Sequence, residues 1–193
     1  MDKWLKLLGT TIDALSGSGG SDWLDVASDG LKAVLGEKGP HQPIYDGKLP
    51  IGSLVCCRLA AIADHTGIYI GRGRIIHRDG DGYLAEVSPE EFLARLEGRN
   101  NADTIYIATK TGHPLGGAYA SQAARKALRD PKMQGYNLLF KNCHQFSYWC
   151  LTGERILPTF TNLEVALQRR FDMEYISWYR WDFRSERVRK RLT

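Results

Sequence analysis

The stretch HTGIYIGRGRIIH, residues 65–77, decides the fold, because two strand-like runs flank the short segment 71–73, Gly-Arg-Gly. Glycine tolerates the left-handed backbone conformation that a three-residue hairpin loop requires, so this segment predicts a tight β-hairpin. A loop centred on Arg72 pairs His65 with Asp79 and makes His77 the diagonal neighbour of His65 on the same face. A two-residue turn at 72–73 shifts the pairing by one residue and puts the two histidines on opposite faces.

The two faces of this hairpin differ in character. Alternation along the strands puts Ile68, Ile70 and Ile76 on one face, which we expect to lie in the core. The other face carries both histidines together with Gly67 and Tyr69, and the glycine leaves room for another group to approach closely. Two histidines in a hairpin are more often surface residues than catalytic ones, so the pattern alone does not assign a function.

Other strands and helices extend outward from the hairpin. Strand-like runs rich in β-branched and aromatic residues occupy residues 53–60, 82–87 and 103–109. Helices are predicted from Ser88, from Tyr119 to Leu128, from Asn142 to Gly153, and from Asn162 into the basic tail. Strands grouped between helices indicate an α+β fold with an antiparallel sheet packed against helices.

The two ends of the chain are predicted to add helices to this domain. Residues 1–36 have the spacing of two short amphipathic helices, divided by the Ser- and Gly-rich segment 16–21. Glycine and proline at residues 39–43 then indicate a linker. We therefore expect an N-terminal helical arm over 1–43, a catalytic domain over 44–160 and a C-terminal helix with a basic, aromatic tail over 161–193.

One cysteine stands at the start of a predicted helix. Asn142 is a good N-cap, which makes Cys143 the first helical residue, and Lys141 adds a nearby positive charge. Free N–H groups and the helix dipole are expected to lower the pKa of this thiol and favour the thiolate, which is the nucleophilic form. Cys150 lies two turns further along and is expected in the core, and Cys56 and Cys57 point to opposite faces of a strand.

Composition and charge exclude some classes of protein. The 193 residues are 43% hydrophobic and 25% charged, and the four cysteines form no CxxC pair, so we expect no disulfide framework, no metal and no cofactor. No secretory signal or membrane-spanning run is apparent, which predicts a cytoplasmic protein. Residues 178–193 carry the excess of positive charge and four aromatic residues. A terminal helix packed on the core is the favoured interpretation, peripheral membrane contact through both chain ends is the alternative, and nucleic acid binding is not expected.

With these residues identified, the chain resembles the lecithin:retinol acyltransferase family between Tyr45 and Gly153. The resemblance rests on the strand from Gly52 to Arg58, on the histidine hairpin, and on the segment Tyr-Asn-Leu-Leu-x-Lys-Asn-Cys-x-x-Phe at 136–146. This family is similar to a circularly permuted branch of the NlpC-type, papain-like cysteine enzymes. The resemblance therefore implies a permuted papain-like fold and an activity that carries acyl groups on a cysteine.

The same resemblance implies a role for each matching residue. It makes Cys143 the nucleophile, His65 the general base and His77 the residue that orients the base, with the histidine face turned toward the N-terminus of the Cys143 helix. Arg58 corresponds to an arginine near the oxyanion site, and Asn142 and Tyr69 are further candidates for supporting roles. The family commonly has Asn-Cys-Glu-His-Phe where this chain has Asn-Cys-His-Gln-Phe, which bears on the substrate. His144 is expected to face away from the site or to cap the helix.

Three functions follow from these residues. The first is an acyltransferase or phospholipase that uses phospholipid or another acyl ester through a Cys143 thioester. The second is a papain-like amidase or peptidase, and the third is a binding or membrane-remodelling protein that keeps the scaffold without catalysis. A buried Cys143, or one too far from His65 for a hydrogen bond, would favour the third.

Overall fold

The turn of the central hairpin contains three consecutive residues with positive φ: Gly71 at 91°, Arg72 at 55° and Gly73 at 67°. Arg72 and Gly73 form a two-residue turn, since Gly71 pairs with Arg74. The register then shifts between Tyr69 and Gly71. The extra residue of this bulge restores the strand pairing that a three-residue loop would give. The predicted three-residue loop is therefore replaced by a two-residue turn and a bulge.

The consequence of this register is that the predicted faces are correct. Gly67 pairs with His77 and Ile68 pairs with Ile76, so both histidines lie on one face of the hairpin. Ile68, Ile70 and Ile76 lie together on the other face, in one apolar cluster.

The structure is a computed structural model, and it describes residues 38, 41–59, 63–94, 103–134, 142–155 and 162–185. The predicted helical arm over 1–36 and the last eight residues of the basic tail lie outside the described residues. The described strands are β1 Ile44–Tyr45, β2 Leu54–Leu59, β3 Ala63–Gly71, β4 Arg74–Arg78, β5 Leu84–Val87, β6 Tyr106–Lys110, β7 His113–Pro114 and β8 Ser177–Trp181. The described helices are α1 Pro89–Leu93, α2 Ala118–Arg129, α3 Cys143–Thr152 and α4 Asn162–Phe171, with a 3-10 turn at Pro131–Met133.

All eight described strands form one sheet in the order β1-β8-β6-β2-β3-β4-β5, with β7 added to β6. Each pair is antiparallel except β1 with β8. The protein is thus a mixed α+β fold with a large antiparallel sheet, as the grouping of strands predicted. Helix α1 begins at Ser88 through a capping box with Glu91, which also agrees with the sequence.

Each face of the sheet has its own apolar cluster. The first cluster contains Leu54, Cys56 and Ile68 with buried side chains of α2, α3 and α4. The second contains Val55, Cys57, Tyr69 and Ile75 with Phe92 of α1 and the aromatic residues Trp181 and Phe183. Because successive strand residues point to opposite faces, the adjacent Cys56 and Cys57 fall in different clusters, as expected.

The C-terminal prediction is wrong in two respects. Helix α4 ends at Phe171 instead of continuing into the tail, and residues 177–181 form β8 between β1 and β6. The favoured expectation that the aromatic residues of this segment pack on the core is confirmed, since Trp178, Trp181 and Phe183 are each 5% exposed or less. Within the described part of the chain, no helix has both the length and the apolar content to cross a bilayer.

Candidate active site

A pair of histidines lies on the α1 face of the sheet. Nε2 of His65 on β3 is 3.0 Å from Nδ1 of His77 on β4, and both side chains are buried. The ring of Phe92 packs against both, with centroid distances of 5.1 Å to His65 and 5.5 Å to His77. Gly67 pairs with His77, and a Cβ there would lie 2.7 Å from Ile75 Cγ2 and 3.1 Å from His77 Cβ. The glycine is therefore what allows the second imidazole to sit at this position.

The hydrogen bond between the rings restricts how protons can be arranged. Two neutral imidazoles can share it only if one ring donates and the other accepts. When Nε2 of His65 donates to Nδ1 of His77, Nδ1 of His65 is left as a proton acceptor. In that arrangement His65 can act as a general base and His77 holds its tautomer.

Cys143 is the first residue of α3, as the sequence predicted. Asn142 has the extended conformation of an N-cap, and its side-chain oxygen accepts a hydrogen bond of 2.9 Å from the backbone N–H of Gln145. Asn142 is 3% exposed, so its place in the structure is that of a buried cap. At the other end, Gly153 ends the helix in the left-handed conformation.

Several polar groups near the sulfur of Cys143 lower the pKa of its thiol. They are the backbone N–H and the hydroxyl of Thr66, the N–H of Cys143 itself and the N–H of His144. The hydroxyl of Thr66 in turn receives a hydrogen bond of 3.0 Å from the hydroxyl of Ser147, one turn along α3. Sequence reasoning missed Thr66 as a member of the site; the available signal was a hydroxyl residue on the otherwise apolar face of the hairpin.

The thiol is not activated in the way the sequence suggested. Burial raises the pKa of Cys143, and this effect outweighs the hydrogen bonds from Thr66, His144 and its own N–H, which lower it. The expectation that the helix N-terminus makes a ready thiolate is therefore wrong. A neutral thiol in this position needs a base that removes its proton when it attacks.

The body of α3 and the histidines lie on opposite faces of the sheet. Phe146, Tyr148 and Cys150 pack in the cluster that contains Ile68, whereas the imidazoles contact Phe92 in the other cluster. The expectation that the histidine face turns toward this helix is therefore wrong for most of the helix. Its first residue is the exception, because the Cys143 sulfur bonds the N–H of the peptide that joins His65 to Thr66.

His144 is buried beside a group of charged residues. Its ring lies next to Asp64, and burial lowers the pKa of His144 from 6.5 to about 4. Lys38 lies next to it, with Nζ 2.7 Å from Asp64 Oδ2 and 2.6 Å from Glu164 Oε1. Burial raises the pKa of Glu164 to about 7 even though Lys38 opposes this shift. His144 thus lies beside Asp64 of β3, and its buried ring has a structural role next to Cys143.

The two remaining support candidates have other contacts. The guanidinium of Arg58, on the exposed end of β2, donates to the Lys38 carbonyl over 3.2 Å. Tyr69 lies on the histidine face as predicted, but its hydroxyl accepts a hydrogen bond from Gly73 and its ring packs against Trp181.

The other three cysteines are free and wholly buried. Burial raises the pKa of Cys56 and of Cys150, the latter in the core as expected. Cys143 differs from both because its neighbours are hydrogen-bond donors as well as apolar groups.

Fold and site together define an α+β protein with a buried histidine pair on two neighbouring strands and a cysteine at the first position of a helix. Comparison of the chain with family models, with curated proteins and with solved structures gave no match.

Proposed function

We propose that this protein is a thiol-dependent acyltransferase or hydrolase that carries acyl groups as a thioester on Cys143. One observation carries the proposal. The sulfur of Cys143 bonds the peptide N–H that follows His65, and the ring of His65 is itself held by His77 at 3.0 Å. A nucleophile, a base and a group that orients the base are the components that thiol catalysis requires.

The first half-reaction would begin with a neutral thiol. His65 takes the proton of Cys143 as the sulfur attacks the carbonyl carbon of an ester or amide, and a carbon–sulfur bond forms. The bond from that carbon to the leaving group then breaks, and the leaving alcohol or amine takes the proton from His65. The thioester that remains on Cys143 conserves the acyl group.

The second half-reaction reverses these roles. His65 removes a proton from water, an alcohol or an amine, which attacks the thioester carbonyl, and the released sulfur regains a proton from His65. The N–H groups of Cys143 and His144, in the first turn of α3, are candidate backbone donors for the oxyanion in both steps.

The finer description of the fold belongs to the same proposal. The resemblance of the hairpin and of the 136–146 segment to the lecithin:retinol acyltransferase family supports a permuted papain-like arrangement. An antiparallel sheet with a cysteine at a helix start is compatible with it. On the same ground we propose phospholipid, or another acyl ester, as the substrate.

A second candidate function is a scaffold that binds without catalysis. The burial of Cys143, which is 8% exposed, and the raised pKa of its thiol favour this alternative, because an acyl carbonyl must reach the sulfur. The two candidates differ in whether a covalent intermediate ever forms.

Intact-mass analysis after incubation with mixed phospholipid vesicles separates them. The enzyme proposal predicts an added acyl mass that maps to Cys143, is lost in Cys143→Ala and is strongly reduced in His65→Gln. Circular dichroism of each variant must show the folded state. No adduct and no lysolipid above the Cys143→Ala background, from a protein that remains folded, would overturn the proposal in favour of the scaffold.

A further inference from the structure

A cavity lies at the turn end of the β3–β4 hairpin. It has a volume of about 600 Å³ and is lined by the hairpin turn, the 48–51 segment, the start of α1, Arg125 of α2 and residues 181 and 183. Tyr69, which also lines the cavity, is four residues from His65, which corresponds to roughly 13 Å along an extended strand. The described lining residues do not include Cys143, His65 or His77.

Three basic side chains line this cavity, and no acidic residue is found among the described residues of its lining. Arg125 is anchored by a hydrogen bond of 2.9 Å from Nη2 to the carbonyl of Ile70, which holds the guanidinium at the turn end of β3. Arg72 is held at the tip of the turn by the left-handed backbone, and Lys48 lies across from it on an exposed segment. Three cations in one cavity repel one another unless an anion lies among them.

The rest of the wall is apolar and aromatic. Leu49, Tyr69, Trp181 and Phe183 line the cavity and are each 5% exposed or less, so they form a firmly packed wall. Ile51, which is 50% exposed, lies at the rim. A cavity of this size with apolar walls and a few convergent polar groups is typical of a small-molecule site.

From these features we infer that the cavity binds an anionic amphiphile, with a phosphate-type head among the three cations and an apolar body against the aromatic wall. A simple anion would leave the half-exposed Ile51 and the apolar side of the cavity uncovered, and a neutral apolar molecule would leave the cations uncompensated. Arginine is well suited to phosphate because its planar donors can form paired hydrogen bonds. The inference does not depend on the proposed function of Cys143.

Calorimetric titration with dodecyl phosphate, kept below its micelle concentration, tests this site on the full chain. Neutral dodecyl maltoside and inorganic phosphate are the matched ligands, and both are expected to bind at least about tenfold more weakly. The variant Lys48→Gln/Arg72→Gln removes two exposed cations from the cavity, and we expect it to weaken dodecyl phosphate binding at least about tenfold. Lys126→Gln/Arg129→Gln removes the same charge from exposed positions of α2 and is expected to bind like the unaltered protein.

Vesicle binding then identifies the source of the head group. If vesicles of phosphatidylglycerol, but not of phosphatidylcholine, bind and this is lost in Lys48→Gln/Arg72→Gln, the ligand is a membrane lipid. If only monomeric dodecyl phosphate binds, it is a soluble amphiphile, and both results support the site. Equal binding by the two double variants, or equal affinity for the neutral amphiphile, would overturn it. Cys143→Ser should leave the affinity unchanged, so failure of the acyl-adduct experiment does not affect this result.

Discussion

Nε2 of His65 lies 3.0 Å from Nδ1 of His77, across two neighbouring strands and away from solvent. The contact orients the first ring, because the two nitrogens must share one proton between them. In the tautomer in which Nε2 of His65 donates, Nδ1 of His65 is the proton acceptor.

Removal of the His77 ring is expected to slow acylation of Cys143 without unfolding the protein. In His77→Ala the ring of His65 loses the partner that sets its orientation, and a small misplacement of a catalytic group costs about 100-fold in rate. His77→Asn restores an acceptor near the same position and should recover part of this loss. Intact-mass kinetics with an activated ester measure the rate, and equal rates for His77→Ala and the unaltered protein would contradict the orienting role.

Thr66 is predicted to govern the reactivity of Cys143. Its hydroxyl bonds the sulfur and lowers the pKa of the thiol against the effect of burial, so Thr66→Val should raise that pKa further. A lost hydrogen bond to a charged group corresponds to roughly 1.5 kcal/mol or more, which predicts alkylation by iodoacetamide about tenfold slower at neutral pH.

The controls for this prediction are Thr66→Ser, which keeps the hydroxyl, and Ser147→Ala, which removes the donor behind it. The first should restore the pH profile of alkylation, and the second should shift it less than Thr66→Val does. If the midpoint of the pH profile of Cys143 alkylation stays in place or moves to lower pH in Thr66→Val, the hydroxyl of Thr66 does not lower the pKa of the thiol.

Short-range patterns explain which parts could be predicted from the sequence. Alternation around the hairpin gives the correct faces for His65 and His77, and the N-cap preference of Asn142 gives the correct start of α3. In contrast, Trp178 and Trp181 are three residues apart, which fits a helix. They belong instead to strand β8, which is buried on both faces, and each tryptophan packs in the apolar cluster on its own face.

Contacts between distant segments could not be predicted in the same way. The bond between Thr66 and Cys143 depends on where α3 meets β3, and local spacing carries no information about that meeting. The burial of Cys143, which reverses the expected direction of its pKa shift, has the same origin. The cavity beside Arg72 likewise combines segments that are more than 100 residues apart in the chain.

His144 is expected to make the protein sensitive to acid. Its pKa is lowered from 6.5 to about 4 by burial, so between these values the unfolded chain binds a proton on this ring and the folded chain does not. The contribution of the neutral His144 ring to the free energy of unfolding is therefore fully present above pH 6.5 and is lost as the pH falls through about 4. This contribution amounts to roughly 3 kcal/mol. The charged groups that face the ring are Asp64 and Lys38, and they act in opposite directions.

Urea unfolding of the unaltered protein and of His144→Gln, at pH 7 and at pH 4.5, measures this contribution. Glutamine is polar and of similar size but does not titrate, so the variant should lose less stability on acidification. The difference in unfolding free energy between the two proteins is the quantity to compare, because the contribution of Glu164 to stability changes with pH in the opposite direction. Its pKa is raised to about 7, so its contribution is present below its unfolded value and is lost as the pH rises through 7. Parallel pH curves for the two proteins would rule out His144 as the origin of the acid sensitivity.

Gly52 is expected to tolerate no side chain, because two segments of backbone meet there at the entrance to β2. Its φ is +93°, and a Cβ at this position would lie 1.7 Å from the carbonyl oxygen of Gly117. The N–H of Gly52 also donates to the carbonyl of Tyr69 over 2.7 Å, so the segment cannot move away without breaking its bond to β3. Gly52→Ala should therefore cost about 3 kcal/mol or more, which corresponds to a fall in Tm of roughly 6–12 °C.

Gly117→Ala is the matched control, because a Cβ there meets nothing within 4 Å and its φ of 169° suits any residue. That variant should lose at most about 1 kcal/mol through the weaker N-cap of α2. If thermal unfolding showed the same Tm for the two variants, the close approach of these backbones would not limit stability.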